Sequence, residues 1–225
     1  MMGSPRDYKN TIVPNWCPGC GDFGIQNAIA AVCAQKGWAN EDITLISGIG
    51  CSSRIGGYQY CYGAHTAHGR SLPFAQGIKC ANKDTHLVVC SGDGDSYAIG
   101  LGHALHAMKR NMDITYIVFD NQVYGLTKGQ TSQASSKGFV TKTTPDGNPL
   151  TPLDAPSMAL AAGATFVAQA YAIDSKTMID VLTKAMDHKG FSYVNIFTPC
   201  VTFNHMNTVQ WYNEHLVKLE DLREN

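Results

Sequence analysis

Between Glu41 and Glu214 the chain has no glutamate, so aspartate is the only carboxylate available to its central span. Charge of either sign is scarce: Asp, Glu, Lys and Arg make up 16% of the 225 residues, and the formal net charge is −1. That balance lacks the basic stripe or acidic block that nucleic acid or an anionic membrane surface would require of a main partner. No apolar run approaches the ~20 residues of a membrane span. Residues 1–10 also lack the apolar centre of a secretory leader, so the expected location is cytoplasmic. Low charge together with 22 glycines points to a surface partly covered in an oligomer. Eight cysteines in a chain of this class do not read as a secreted disulfide framework.

The length suits one large α/β domain, taken as 1–225 with an extended arm over 1–21. Short β-branched runs alternate with stretches of helical periodicity. Strands are expected at Ile43–Ser47, 86–91, Ile114–Asp120, 165–170 and 193–197, and helices at Asp22–Lys36, 72–82, 96–110, 157–162 and 176–188. Residues 58–70 read as an aromatic loop, and 129–156, rich in Ser, Thr, Lys, Gly and Pro, as a long functional or mobile loop. The alternation predicts a mostly parallel sheet with helices on both faces. Ligands of such sheets gather where strands end, at their carboxyl edge.

Two strands end in oxygen ligands. The run over 86–91 opens into Gly92-Asp93-Gly94-Asp95, and Ile114–Asp120 into Asn121-Gln122-Val123-Tyr124-Gly125. With 96–110 as the crossover helix, Asp93 and Asn121 come to lie side by side. A carboxylate, an amide oxygen and the Val123 carbonyl suit a hard octahedral cation that keeps positions for phosphate oxygens, and Mg²⁺ fits best. Gly92 and Gly94 let the backbone approach a diphosphate at the head of the next helix. Gly-Asp-Gly, 26 intervening residues (95–120) and Asn resembles the thiamine diphosphate motif.

Cys17 and Cys20 form a C-x₂-C pair, while Cys51 and Cys200 each follow an expected strand. Four thiolates at one sheet edge hold either a [4Fe–4S] cluster or Zn²⁺. A thioredoxin-like reading of the pair leaves two cysteines unexplained and lacks a preceding strand. Cys33 falls on the apolar face of the first helix and reads as core.

These motifs, with residues 16–24, 47–52, His68-Gly69-Arg70, Pro73-Phe74-Ala75, Gly77-Ile78-Lys79, the run 124–130 and Pro199-Cys200, resemble the β subunit of 2-oxoacid:ferredoxin oxidoreductases. The likeness runs from about Trp16 to Tyr212. It implies a thiamine-diphosphate-binding fold and CoA-dependent oxidative decarboxylation of a 2-oxo acid to an acyl-CoA and CO₂. Electrons would pass through a [4Fe–4S] cluster to ferredoxin, and flavodoxin fits the same residues. Carried over by motif, Cys17, Cys20, Cys51 and Cys200 become cluster ligands, and Asp93, Asn121 and Val123 the Mg²⁺ ligands. Gly92, Gly94, Asp95, Cys51, Ser52, Ser53, Tyr124, Gly125 and Leu126 contact thiamine diphosphate. His68 takes a catalytic or diphosphate-binding role beside Gly69 and Arg70, while His65, His103 and His106 read as ordinary residues.

The missing glutamate now has a meaning. Thiamine activation uses a carboxylate on the pyrimidine nitrogen, so the resemblance implies an α (or fused γα) subunit that supplies it. Arg54 and Lys128 are candidate cations for the substrate, which favours 2-oxoglutarate or a broad range, with pyruvate also possible. The chain departs from the family at Thr131-Ser132-Gln133-Ala134-Ser135, where no role is assigned, and it stops at Asn225, where many members extend further. The competing readings are a non-oxidative thiamine diphosphate decarboxylase or synthase subunit, which has no need of four convergent cysteines, and an idle partner subunit with a structural zinc.

Overall fold

A computed structural model describes residues 3–219. Six strands, β1 (Ile43–Ser47), β2 (Tyr62–His65), β3 (His86–Gly92), β4 (Ile114–Asp120), β5 (Phe166–Tyr171) and β6 (Phe191–Phe197), form one sheet in the order β2-β1-β3-β4-β6-β5. Every pairing is parallel. The strands therefore all end at one edge, and the loops after β1, β3, β4 and β6 meet there.

Both faces of the sheet are covered, so the central strands are apolar at consecutive positions. Val88, Cys90, Ile117 and Phe119 pack under α1 (Asp22–Lys36) and α5 (Ser175–Asp187). Leu87, Val89, Tyr116 and Val118 face α2 (Ser71–Ala81), α3 (Leu101–Arg110) and α4 (Ala155–Ala161). Helix α1 stops at Gly37, whose φ of 63° is the left-handed C-cap that glycine takes without strain. Helix α6 (Val209–His215) is capped by Thr208, whose side chain accepts from the Trp211 N–H.

Two expectations are corrected. The 58–70 segment contains β2, a four-residue edge strand whose mostly exposed side chains give no alternating pattern. The helix expected over 96–110 instead opens with a π turn, Asp95–Ile99, before α3. A Cβ on Gly100 would stand 2.4 Å from the Asp95 carbonyl oxygen and 3.2 Å from the Gly69 backbone. The widened turn lets the 69 loop press against this helix start. The amino-terminal arm is fastened by Tyr8, which donates to the Trp38 carbonyl at 2.7 Å, and by the Asn10 amide, which donates to Gly57 at 2.7 Å. Among the described residues no helix is long and apolar enough to cross a membrane.

Candidate active site

A cavity of about 420 Å³ opens at the carboxyl edge of the sheet. The loops after β1, β3 and β4 build it: Cys51 and Ser52 from the first, Gly92, Asp93, Gly94 and Asp95 from the second, and Asn121, Val123, Tyr124, Gly125 and Leu126 from the third. His68 completes the wall. Ile49, Gly50, Thr127, Gln130 and Thr131 also line it, although the sequence reading gave them no role. Ser53, Arg54 and Lys128 are not among the lining residues. Arg54 instead donates to the Asn15 amide oxygen at 2.5 Å, which turns its charge towards the amino-terminal arm. Lys128 lies between cavity residues with a φ of 77°.

Register explains how Asp93 and Asn121 meet. Gly92 on β3 pairs with Phe119 on β4, which brings Asp93 level with Asp120, just ahead of Asn121. Both carboxylates are buried. Burial first, then the neighbouring Asp120 charge, pushes the Asp93 carboxyl well above its usual range, while hydrogen bonding from Ser132 pulls it back. Burial likewise lifts Asp120 to about 6. One Asp120 oxygen accepts from Asn195 at 3.0 Å, and the other has no hydrogen-bond partner among the described residues. The Asn121 amide oxygen accepts from the Val123 N–H at 3.1 Å, and its carbonyl from Asn204 at 3.1 Å, so the turn is held rigidly. Gly94 is obligatory, because a Cβ there would sit 2.3 Å from the Tyr124 ring.

Asp95 lines the cavity and also braces it. Its Oδ1 accepts from the Ile49 N–H at 3.1 Å and the Gly69 N–H at 2.7 Å, and it lies 2.7 Å from His68 Nδ1. The side chain therefore ties the loops after β1, β2 and β3 together through Oδ1, while its buried Oδ2 has no hydrogen-bond partner among the described residues. Gly48 lets it in, since a Cβ there would stand 1.9 Å from Asp95 Oδ2.

The four cysteines are free thiols drawn into one region by backbone contacts. The Trp16 indole donates to the Cys51 carbonyl at 2.6 Å, and the Gly21 N–H to the Pro199 carbonyl at 3.4 Å. Gly125 faces two of the sulfurs: a Cβ on it would lie 3.5 Å from Cys51 Sγ and 3.8 Å from Cys200 Sγ. Burial, then the Asp22 charge, then Cys200 raise the Cys51 thiol to about 11, and burial raises Cys20 and Cys200 as well. Asp22 is itself fully buried and lifted to about 7 by desolvation, with both oxygens lacking hydrogen-bond partners among the described residues. Among the described residues no three His, Cys, Asp or Glu side chains form a metal-ligating group. The cysteines are thus neighbours without being closed around a single ion. Cys33 is buried in the core, as its place on α1 implies.

Residues 48–196 match the thiamine pyrophosphate enzyme, C-terminal TPP binding domain, and residues 200–224 match the C-terminal family of the pyruvate ferredoxin oxidoreductase beta subunit. The chain is 42% identical over 209 residues to the 2-oxoacid:ferredoxin oxidoreductase subunit beta of Saccharolobus solfataricus, covering 92% of this chain and 68% of that one. The chain belongs to the 2-oxoacid:ferredoxin oxidoreductase β subunits. To the 2-oxoglutarate oxidoreductase subunit KorB of Mycobacterium tuberculosis it is 43% identical over 199 residues, 88% of this chain and 53% of the relative. The 2-oxoglutarate:ferredoxin oxidoreductase of Magnetococcus marinus, solved with 2-oxoglutarate, coenzyme A and succinyl-CoA bound, matches with a TM-score of 0.93 and 44% identity. That match covers 94% of this chain and 73% of the other. As a β subunit, the chain acts with an α partner in a thiamine-diphosphate-dependent oxidoreductase.

Three buried polar residues also escaped the sequence reading of this β subunit. Ser132 gave no signal beyond being a polar residue in a long loop, yet its hydroxyl reaches Asp93. Asp120 looked like the polar end of an apolar strand, and Asp22 like the ordinary acidic start of a helix.

Proposed function

We propose that this β subunit holds thiamine diphosphate, Mg²⁺ and a [4Fe–4S] cluster. With its α partner it would oxidatively decarboxylate a 2-oxo acid to the acyl-CoA and CO₂, passing electrons to ferredoxin or flavodoxin. 2-Oxoglutarate is the favoured substrate and pyruvate is within range. The observation that carries this reading is the place of Gly125, which lines the cofactor cavity on one side and faces the sulfurs of Cys51 and Cys200 on the other. Cys51 itself lines the cavity beside Gly125, so the place of carbon chemistry adjoins the cysteines, the short path that one-electron transfer demands.

The residues fit the groups. Asp93 and Asp120 are two buried carboxylates side by side, one of their oxygens without a partner among the described residues, and a divalent cation would relieve that crowding. Asp93, Asn121 and the Val123 carbonyl would hold it. Cys17, Cys20, Cys51 and Cys200 would present four soft donors to the cluster from a common region. When bound, thiamine diphosphate supplies the electron sink for loss of CO₂. His68, in the cavity wall, is placed to give or take a proton at the reacting end, and Gly92 and Gly94 admit the diphosphate. Lys128, flanked by the cavity residues Thr127 and Gln130, is the proposed partner of a distal substrate carboxylate, and Arg54 joins it only by leaving Asn15. With no glutamate from 42 to 213, the α partner supplies the activating carboxylate. The bound 2-oxoglutarate and coenzyme A of the Magnetococcus enzyme support the substrate assignment.

The test is anaerobic turnover of the co-expressed α and β chains with a low-potential dye as acceptor. CoA-dependent dye reduction with a higher kcat/KM for 2-oxoglutarate than for pyruvate is expected. Release of CO₂ without any reduced dye would instead mark a non-oxidative decarboxylase.

A further inference from the structure

Ser132 lies in the segment where the chain departs from its family's usual continuation, and it is buried. Its Oγ accepts from the Ala134 N–H at 3.3 Å, so its own proton is free to be given away, and it goes to Asp93 Oδ2 in a short hydrogen bond. The contact spans 39 residues of sequence and links the loop after β4 to the loop after β3. Ser132 is in turn fixed by Ser135, whose hydroxyl accepts from the Ser132 N–H at 2.8 Å and donates to the Gln122 carbonyl at 2.6 Å. Gln122, next to Asn121, sits in the left-handed region with a φ of 58°. One short serine turn therefore holds both segments from which the metal ligands project.

We infer that Ser132 is a positioning residue for the divalent cation: it occupies Asp93 Oδ2 and leaves Oδ1 as the single carboxylate oxygen offered to the metal. The inference rests on the assignment of Asp93 as a Mg²⁺ ligand. A carboxylate that can swing between one-oxygen and two-oxygen ligation holds a small octahedral ion poorly, because Mg²⁺ demands fixed geometry at short distance. A hydroxyl on the outer oxygen removes that freedom, which is how outer-shell partners raise metal affinity elsewhere.

The experiment uses the α–β complex stripped of cofactor by a chelator. It measures the Mg²⁺ concentration that half-saturates thiamine diphosphate binding by calorimetry, and the Mn²⁺ dissociation constant by electron paramagnetic resonance. Ser132→Ala should raise both values by about 10–100-fold, Ser132→Thr should restore most of the loss, and Ser132→Cys, nearly the same size with a weak donor, should fall between. If Ser132→Ala and Ser132→Cys both titrate like the parent, the inference is overturned. Should Ser132→Ala fail to fold, the Cys and Thr variants still decide it. Asp93→Ala separates the two levels. If it binds thiamine diphosphate with unchanged Mg²⁺ demand, the metal assignment itself falls; if it loses Mg²⁺-dependent binding while the Ser132 variants are normal, only the role of Ser132 falls.

Discussion

His68 Nδ1 lies 2.7 Å from Asp95 Oδ1, and the same oxygen receives the N–H groups of Ile49 and Gly69. The aspartate thus sets its carboxylate beside the imidazole as a contact of charge, since Nδ1 has no hydrogen-bond partner among the described residues. The two kinds of contact can be separated by mutation. Asp95→Asn keeps an oxygen for the backbone N–H groups but removes the charge, so the complex should stay folded and retain thiamine diphosphate. Its kcat should drop by about 10²-fold, the usual worth of a positioned proton carrier. Asp95→Ala leaves two inward N–H groups without an acceptor and should also lower stability by about 2–4 kcal/mol, read by thermal melting. An Asn variant with parental kcat would remove His68 from the chemistry.

Glycines divide by what surrounds them. In α1, a Cβ on Gly24 would stand 2.5 Å from the Ala172 carbonyl oxygen, a backbone atom that cannot swing aside. Gly24→Ala should therefore push the helix off the sheet and cost about 1–3 kcal/mol despite the better helix propensity of alanine. In α2, nothing lies within 4 Å of a Cβ on Gly77, so Gly77→Ala should gain about 0.5–1 kcal/mol. Opposite shifts in Tm for the two variants are expected. Shifts of the same sign would contradict the packing of α1.

The sequence made the central strands legible because burial on both faces writes near-continuous β-branched runs, as in 114–118 of β4. It made the meeting of Asp93 and Asn121 legible because each follows such a strand. Edge strand β2 was hidden: its burial is incomplete, and only backbone pairing of Ser47 with His65 and its neighbours defines it. Asp95 lines the cavity, as its adjacency to Gly92-Asp93-Gly94 suggests. Its partners were hidden for a related reason: Ile49, Gly69 and His68 come from loops 46, 26 and 27 residues away in the chain, whose meeting is tertiary. Ser132 was invisible on the same account, since a lone serine acquires meaning only when the long loop folds back onto β3.

The opposite end of the sheet gives a pH signature free of the cofactor region. His86 stacks on Trp38 with ring centroids 3.7 Å apart. Burial holds its pKa below the ordinary value near 6.5; the Lys189 and Lys79 ammoniums add to this, while Asp42 and Asp113 oppose it. With the folded pKa depressed, the unfolded chain takes up a proton first as pH falls. The contribution to stability is thus present above about pH 6.5 and is lost as pH drops through the folded value. His86→Phe keeps the stack and removes the proton, so it should lose less Tm than the parent between about pH 7.5 and about pH 5.5. Parallel losses in the two proteins would show that His86 does not carry this pH dependence.

Metal content decides what the cysteines are for. Burial holds the thiols of Cys20, Cys51 and Cys200 above their usual range, so without metal they are neutral near pH 7, and a soft metal must displace their protons to bind. Protein purified without oxygen should carry about four irons and four acid-labile sulfides per chain. Cys200→Ser should lose the visible absorption of the cluster while thiamine diphosphate binding survives, because Cys200 does not line the cofactor cavity. Asp93→Ala should do the reverse, keeping the absorption and losing the cofactor. One zinc and no sulfide would turn the cysteine group into a structural site. Neither metal would leave a thiamine enzyme without a path for its electrons, and the oxidative assignment would give way to a non-oxidative one.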